Sequence, residues 1–487
     1  MPHTNASVKR AAAIGALIAL LAGCAQQPPA KPDVQGVVAP TLGRPLAVAE
    51  ASSAALQASQ RLTWVQHPGL RQSIAQALTH NRDLRVALSN IERARSQYGI
   101  TSAAQLPTVA ATAQGSRTAT DRSSTGQAVT SNQYAAQLAV TSFELDLWGR
   151  VRNLNEAALQ QFLQAEVNQL NVQITLVADV TNTWLNLAAN EARLTLARDT
   201  LAGREKAYQL TERMHQLGGT SGLVLAQNRV TVEAARGDVA AFTAQVAKDR
   251  NALNALVGSG LNADWLPTAD TLRGGLAAAP AALLALPAEL PSTLLLARPD
   301  VRASEFNLQA LSANVAAARA ALFPTISLST SIGTGSSELD QLFGSGNNTW
   351  SFVPQVLWPI FDGGSARAAV HVAQANRDIA VAQYEKAIQT AFREASDALA
   401  ERAQWQARLA AQQSVVDANS QAFELSEARF TSGVDNYLTV LDAQRSLYSA
   451  QQDLIGLRQS EQANRVALWK VLGGQSDSPV GQRPSVR

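Results

Sequence analysis

Residues Phe323 to Gly333 read FPTISLSTSIG, a run that alternates apolar with hydroxyl side chains and directly follows an alanine-rich stretch of helical character. Extended, it points Ile326, Leu328, Thr330 and Ile332 to one side and Thr325, Ser327, Ser329 and Ser331 to the other. A partner follows, in which Trp350, Phe352, Pro354, Val356 and Trp358 share one face, opposite Ser351, Val353, Gln355 and Leu357. Between them lies GTGSSELDQLFGSGNN, polar and rich in glycine. An earlier stretch, Leu106 to Gly115, opens with the same X-Pro-Thr, and Tyr134, Leu138 and Val140 alternate against Gln137 and Thr141 beyond the loop SRTATDRSSTGQAVTSN. The expected strands cover about 106–117, 132–144, 323–334 and 349–359.

Strands that alternate in this way, with a long loop on one side and aromatics at their ends, carry the signature of an outer-membrane barrel. Trp350 and Trp358 are about 26 Å apart along a strand, or ~20 Å vertically when tilted, near the height of the lipid band between aromatic girdles. A soluble β-sandwich patch is the competing reading of the strands alone. Four strands cannot close a pore, because even small barrels have about eight. Three copies would supply about twelve, and a cyclic homotrimer is an ordinary symmetry.

The chain is internally duplicated. Leu106-Pro107-Thr108 matches Phe323-Pro324-Thr325, Asn81 to Arg85 matches Arg298 to Arg302, Gly149 to Arg152 matches Gly364 to Arg367, and Gly218 matches Gly433, all offset by about 215–217 positions. Each unit reads helix, strand, loop, strand, long helix, tight turn, helix. Arg150 to Leu217 and Ser365 to Phe430 contain no proline. At 1.5 Å per residue, each forms a rod of about 100 Å bounded by glycines. In the second rod Ile388, Ala391, Ala395, Ala398, Trp405 and Leu409 keep a heptad-like register interrupted at Arg402, so the expected seam is mostly alanine and lets helices approach closely.

Among 487 residues, 40 basic and 38 acidic side chains give a net charge of +2, too little for a basic field that would hold nucleic acid. One cysteine excludes an intrachain disulfide. That residue, Cys24, follows a charged n-region at Lys9 and Arg10, an apolar stretch Ala11 to Ala22, and Leu21-Ala22-Gly23, which resembles the lipobox of bacterial lipoproteins. Residues 1–23 are then a signal peptide, and 24–66 an extended tether acylated at Cys24. Beyond Cys24 no run of ~18 apolar residues occurs, so a bilayer would be crossed by strands. The five histidines show no metal-ligand spacing, no H-E-x-x-H or G-x-S-x-G motif occurs, and Gly258-Ser259-Gly260 follows a helix and reads as its end. We therefore expect no enzyme activity and no cofactor other than the covalent lipid.

Phe143-Glu-Leu-Asp-Leu-Trp-Gly-Arg150, Phe361-Asp-Gly-Gly364 and the run Thr431 to Leu447, TSGVDNYLTVLDAQRSL, together with the lipobox and the duplication, resemble the TolC-like outer-membrane efflux channels, in the lipoprotein branch of OprM and NodT type. The resemblance covers nearly the whole mature chain. It implies a homotrimer with a twelve-strand outer-membrane barrel, a periplasmic α-helical barrel, and an equatorial belt built partly from residues 262–291. Repeats at 67–262 and 291–474 would flank a connector at 263–290, with a tail at 475–487. Implied partners are outer-membrane lipid, a periplasmic adaptor protein and an inner-membrane pump of the resistance-nodulation-division class.

Leu438, Asp442 and Arg445 lie on one helical face just past the second turn. In the family the matching residues constrict the periplasmic end, and three Asp442 carboxylates about an axis would favour cations. The first repeat has Ala226 and Arg229 in place of Asp442 and Arg445. Read without the family, the pair is a solvated helix-surface Asp-Arg contact. The turn residues Gly218, Gly219, Gly433, Val434 and Asp435 are the expected adaptor contacts, as well as serving turn geometry. Export of polypeptides in a type I secretion system, and a periplasmic scaffold lipoprotein without a pore, stand as the alternative functions.

Overall fold

The computed structural model describes residues 64–121, 128–273 and 293–474. The expected signal peptide, Cys24 with most of the expected tether, most of the expected connector and the expected C-terminal tail lie outside the described residues. Two compact units emerge. Over the described residues, one comprises 90–121, 128–166 and 303–386, and the other 64–89, 167–273, 293–302 and 387–474.

In chain order the elements are α1 (Pro68–His80), α2 (Arg82–Ala103), β1 (Val109–Asp121), β2 (Ala128–Glu144), α3 (Arg150–Gln216), α4 (Gly222–Val257), a 3₁₀ turn (Ala263–Trp265), α5 (Asp270–Arg273), α6 (Thr293–Leu296), α7 (Pro299–Ala320), β3 (Thr325–Ser336), β4 (Asn348–Leu357), α8 (Ser365–Thr431) and α9 (Tyr437–Val471). The two rods, α3 and α8, have 67 residues each.

The first unit holds one antiparallel sheet in the order β1-β2-β3-β4. Its register puts the apolar rows of neighbouring strands opposite one another: Leu138 pairs with Ile332, Ile332 with Trp350, Thr330 with Phe352, and Leu328 with Pro354. One irregularity preserves this. In β2 the apolar positions Tyr134, Leu138 and Val140 are even-numbered, yet Phe143 pairs with Leu328 on the same side, because the register shifts between Val140 and Phe143. Ser142 takes φ +54 there and donates its backbone N–H to Ser329 Oγ at 3.0 Å. A β-bulge thus adds one residue and keeps the row continuous.

Strand ends differ from the sequence reading. The expected loop Ser116 to Asn132 is largely strand, with Asp121 paired to Ala128, because its alternating Thr, Ser and Ala residues suit a pleated ladder. The X-Pro-Thr prolines precede the strands instead of opening them, since proline donates no ladder hydrogen bond. β4 ends at Leu357, so Trp358 stands one residue beyond it.

Each rod starts on an aspartate. Asp146 accepts from the N–H groups of Val151 and Arg152 at 3.1 and 2.8 Å, and Asp362 from those of Gly364 and Ala366 at 2.9 and 2.7 Å. Both carboxylates satisfy orphan donors of a first helical turn. Asp362, fixed by these N–H groups, titrates below the usual carboxylate range.

In the second unit α1, α3, α4 and α9 enclose a core of Leu70, Ile74, Trp184, Leu187, Leu253, Val257 and Trp469. Trp64, ahead of α1, stacks on Trp469 with ring centroids 4.9 Å apart. Gly258 caps α4 at φ +75, and a Cβ there would meet the His80 carbonyl at 2.4 Å. The expected seam of α8 is buried: Ile388, Ala391, Ala395, Ala398, Trp405 and Leu409 are all under 8% exposed. Arg402 is half-buried among them.

Candidate functional site

The turn after each rod is closed by one device written twice. Gly218, at φ +78, donates to His215 O at 2.9 Å while Gly219 donates to Met214 O at 2.8 Å. Gly433, at φ +74, donates to Phe430 O at 2.9 Å while Val434 donates to Arg429 O at 3.0 Å. The paired bonds are those of a Schellman motif, and the positive φ is why glycine stands there. The following helices are then capped by Ser221, accepting from Val224, and by Asn436, accepting from Thr439.

The two turns nevertheless differ. Arg429 holds Asp435 through two hydrogen bonds, Nε to Oδ2 at 2.5 Å and Nη2 to Oδ1 at 3.0 Å, across the second turn. The hydrogen bond and charge of Arg429 keep Asp435 below its usual range. The first turn has Met214 and Thr220 in those places, and its polar link runs from the His215 ring to Thr220 O at 2.9 Å. Leu217, Leu223 and Val434 are 87%, 68% and 63% exposed.

At the start of α9, Leu438 is 45% exposed, and from one turn further in Asp442 and Arg445 form an ion pair on the same face. They open on a groove between α8 and α9 lined also by Gln412, Asn419, Ser446 and Asp453. Of the three expected constriction residues, the fold brings Asp442 and Arg445 into contact and leaves Leu438 a turn nearer the tip. In the first repeat Ala226 replaces the carboxylate, so the ion pair is not duplicated.

Behind that face lies a buried network that sequence reasoning missed. Arg204 of α3, 5% exposed, donates to Thr231 O of α4 at 2.9 Å and lies 5.6 Å from the ring centre of Tyr448 on α9. The Tyr448 hydroxyl donates to Asp238 Oδ2 at 3.0 Å. Burial lowers the pKa of Arg204, and burial together with Asp238 pushes Tyr448 up to about 12. Three residues from three helices, spread over more than 240 positions, gave no sequence signal.

Of the expected girdle, Trp350 is 79% and Trp358 60% exposed. Cys24 lies outside the described residues. Among those described, no group of His, Cys, Asp and Glu could hold a metal ion, and no helix is long and apolar enough to cross a membrane.

A sheet whose apolar face is bare, in a chain of proline-free rods closed by glycine turns, defines the subunit of a membrane channel. The chain belongs to the outer membrane efflux protein family, which matches it twice, at residues 73–259 and 290–474. It is 43% identical over 417 residues to the probable efflux pump outer membrane protein TtgC of Pseudomonas putida, covering 85% of each chain. To the outer membrane protein OprJ of Pseudomonas aeruginosa it is 38% identical over 451 residues, covering 90% of this chain and 93% of that one. Among solved structures, a membrane protein from Pseudomonas aeruginosa superimposes with a TM-score of 0.80 at 37% identity, covering 90% of this chain and 98% of the other. The open state of the MtrE outer membrane channel of Neisseria gonorrhoeae gives 0.72 at 35%, covering 83% and 89%. The place of this protein is the outer membrane, and its role is in efflux.

Proposed function

We propose that the protein is the outer-membrane conduit of a tripartite efflux system, passively conducting small molecules that an inner-membrane pump and a periplasmic adaptor deliver to it. The observation that carries this reading is the sheet. Ile332, Trp350, Phe352 and Val356 are 60–79% exposed on one continuous apolar face, while β1 and β4 stand at its two edges. Exposed apolar strands with unpaired edges are unstable in water and satisfied in lipid by closure into a barrel. Three copies supply about twelve strands with the apolar row outward and Ser327, Ser329, Ser331, Ser351 and Gln137 inward.

In this arrangement Trp350 and Trp358 sit at the lipid interfaces, and an acylated Cys24 anchors the N-terminus with about 0.8 kcal/mol per buried CH₂. Leu438, Asp442 and Arg445 form the periplasmic constriction, where three carboxylates favour cations. The exposed turns at Gly218, Gly219, Gly433, Val434 and Asp435 meet the adaptor, and the pump is of the resistance-nodulation-division class. The relatives' names as efflux pump outer membrane proteins support the partnership.

The test is reconstitution of the purified full-length protein in planar bilayers, with co-purification from cells to identify the attached proteins. Discrete conductance steps and capture of an adaptor and a pump are expected. A protein that inserts without conducting would overturn the conduit.

A further inference from the structure

The duplication places the same two segments in the chain twice, yet they are packed together once. In the first pairing, the turn from β2 into α3 lies on the opening of β3. Trp148 donates its indole N–H to Pro324 O at 2.7 Å and stacks on Phe323 at 5.0 Å, and the Leu145 backbone N–H donates to Ile326 O at 2.8 Å. Phe323, Pro324 and Thr325 are partly covered as a result, and Gly149 is buried.

The second pairing has both halves and no contact between them. The turn from β4 into α8 carries Ile360 and Phe361 at 94% and 91% exposure. The opening of β1 carries Leu106 at 69% and Val109 at 65%, with Pro107 and Thr108 also exposed. Phe361 stands 216 positions after Leu145, and Leu106 stands 217 before Phe323. These halves belong to the two outermost strands of the sheet, β4 and β1, so they cannot serve each other as β2 and β3 do without a neighbouring sheet.

Resting on the channel reading above, we propose that Phe361 and Ile360 of one protomer close over Leu106-Pro107 of a second copy of this chain, repeating between subunits the junction that Trp148 makes with Phe323-Pro324 within one. The occupant is another copy because the receiving segment is already written in the chain, and because β4 and β1 continue the same ladder outward. The chemistry is aromatic on aliphatic. Trp148 has no counterpart in Gly363-Gly364, so Phe361 supplies the ring, and Leu106 replaces Phe323 beneath it. Full exposure of two adjacent large apolar side chains beside a strand edge is what an uncovered interface presents.

The test is a double variant, Leu106→Cys with Phe361→Cys, in the full-length membrane protein, oxidised with copper phenanthroline and run on a denaturing gel. A covalent species of three chains is expected, absent from either single variant. A three-chain mass by native measurement without that cross-link overturns this contact and leaves the channel standing. A one-chain mass overturns both. Should the double variant fail to assemble, Phe361→Ser is read instead: the proposal expects its oligomer to dissociate at a lower temperature than native protein, with Leu339→Ser, at an exposed apolar position of the β3-β4 loop, unchanged. Equal dissociation temperatures for native and Phe361→Ser protein contradict it.

Discussion

The indole of Trp148 donates to the carbonyl of Pro324, and this bond ties the end of the first repeat's strands to the start of the second repeat's. It gives each residue around it a purpose. Glu144 clamps Arg150 at 2.9 and 2.5 Å, Asp146 caps α3, and Gly149 turns the chain at φ +81. Trp148→Phe keeps the stack on Phe323 and loses the hydrogen bond, so we expect a loss of about 1 kcal/mol, whereas Trp148→Ala loses both and roughly 3 kcal/mol. Thermal unfolding in detergent would show two graded shifts, and equal shifts would contradict the assignment.

Alanine in the α8 seam sets how closely its neighbours approach. Ala395, 1% exposed, packs with Leu295, Phe392 and Val471. Ala395→Leu has no space to enter and should destabilise by roughly 1–3 kcal/mol, whereas Ala395→Ser should be much milder. Limited proteolysis of α8 reads the difference.

The Tyr448 hydroxyl holds Asp238, and Tyr448→Phe should remove about 1 kcal/mol while leaving the ring under Arg204. The folded pKa, about 12, lies above the ordinary phenol value. The hydroxyl's contribution is therefore complete below that ordinary value and is lost as pH rises through about 12. The gap in unfolding temperature between native and Tyr448→Phe protein should hold constant from neutral to mildly alkaline pH and close only in strong alkali. A gap that closes near neutrality would contradict the assignment.

Asp442 holds Arg445 on its own helix. Asp442→Ala removes a carboxylate and releases the guanidinium, so the closed constriction should widen and single-channel conductance rise, with weakened cation preference. Unchanged conductance at every voltage would remove these residues from the constriction.

Periodicity made much of this fold legible. The two-residue period of FPTISLSTSIG gave the face of β3, the proline-free runs gave both rods, and the repeated glycines gave their ends. What stayed hidden depends on contacts between distant segments. Nothing local announces that Ser142 bulges so that Phe143 joins Leu138 and Val140, since the extra residue is defined by the partner strand. The polar stretch after Gly115 reads as loop because neither face is apolar, although the ladder continues to Asp121. At the second turn, the sequence offers Asp435 as an adaptor contact and a turn residue, and its bond to Arg429 follows only once the Schellman turn folds the chain back. The Trp64-Trp469 stack is silent in the sequence because its two rings are about four hundred residues apart, and helix α1 because the α4 and 3₁₀-turn surfaces that cover it come almost two hundred residues later.

The central claim is that strands of separate copies join into one barrel with the apolar row toward lipid and the serine row toward the lumen. Single-channel recording of Ser351→Cys and Phe352→Cys, neighbours on opposite faces of β4, tests it most directly when a charged thiol reagent is added from the water side. The account predicts three equal downward steps of conductance for Ser351→Cys, one for each copy, and none for Phe352→Cys. Block of Phe352→Cys with Ser351→Cys untouched, or a number of steps other than three, would contradict it.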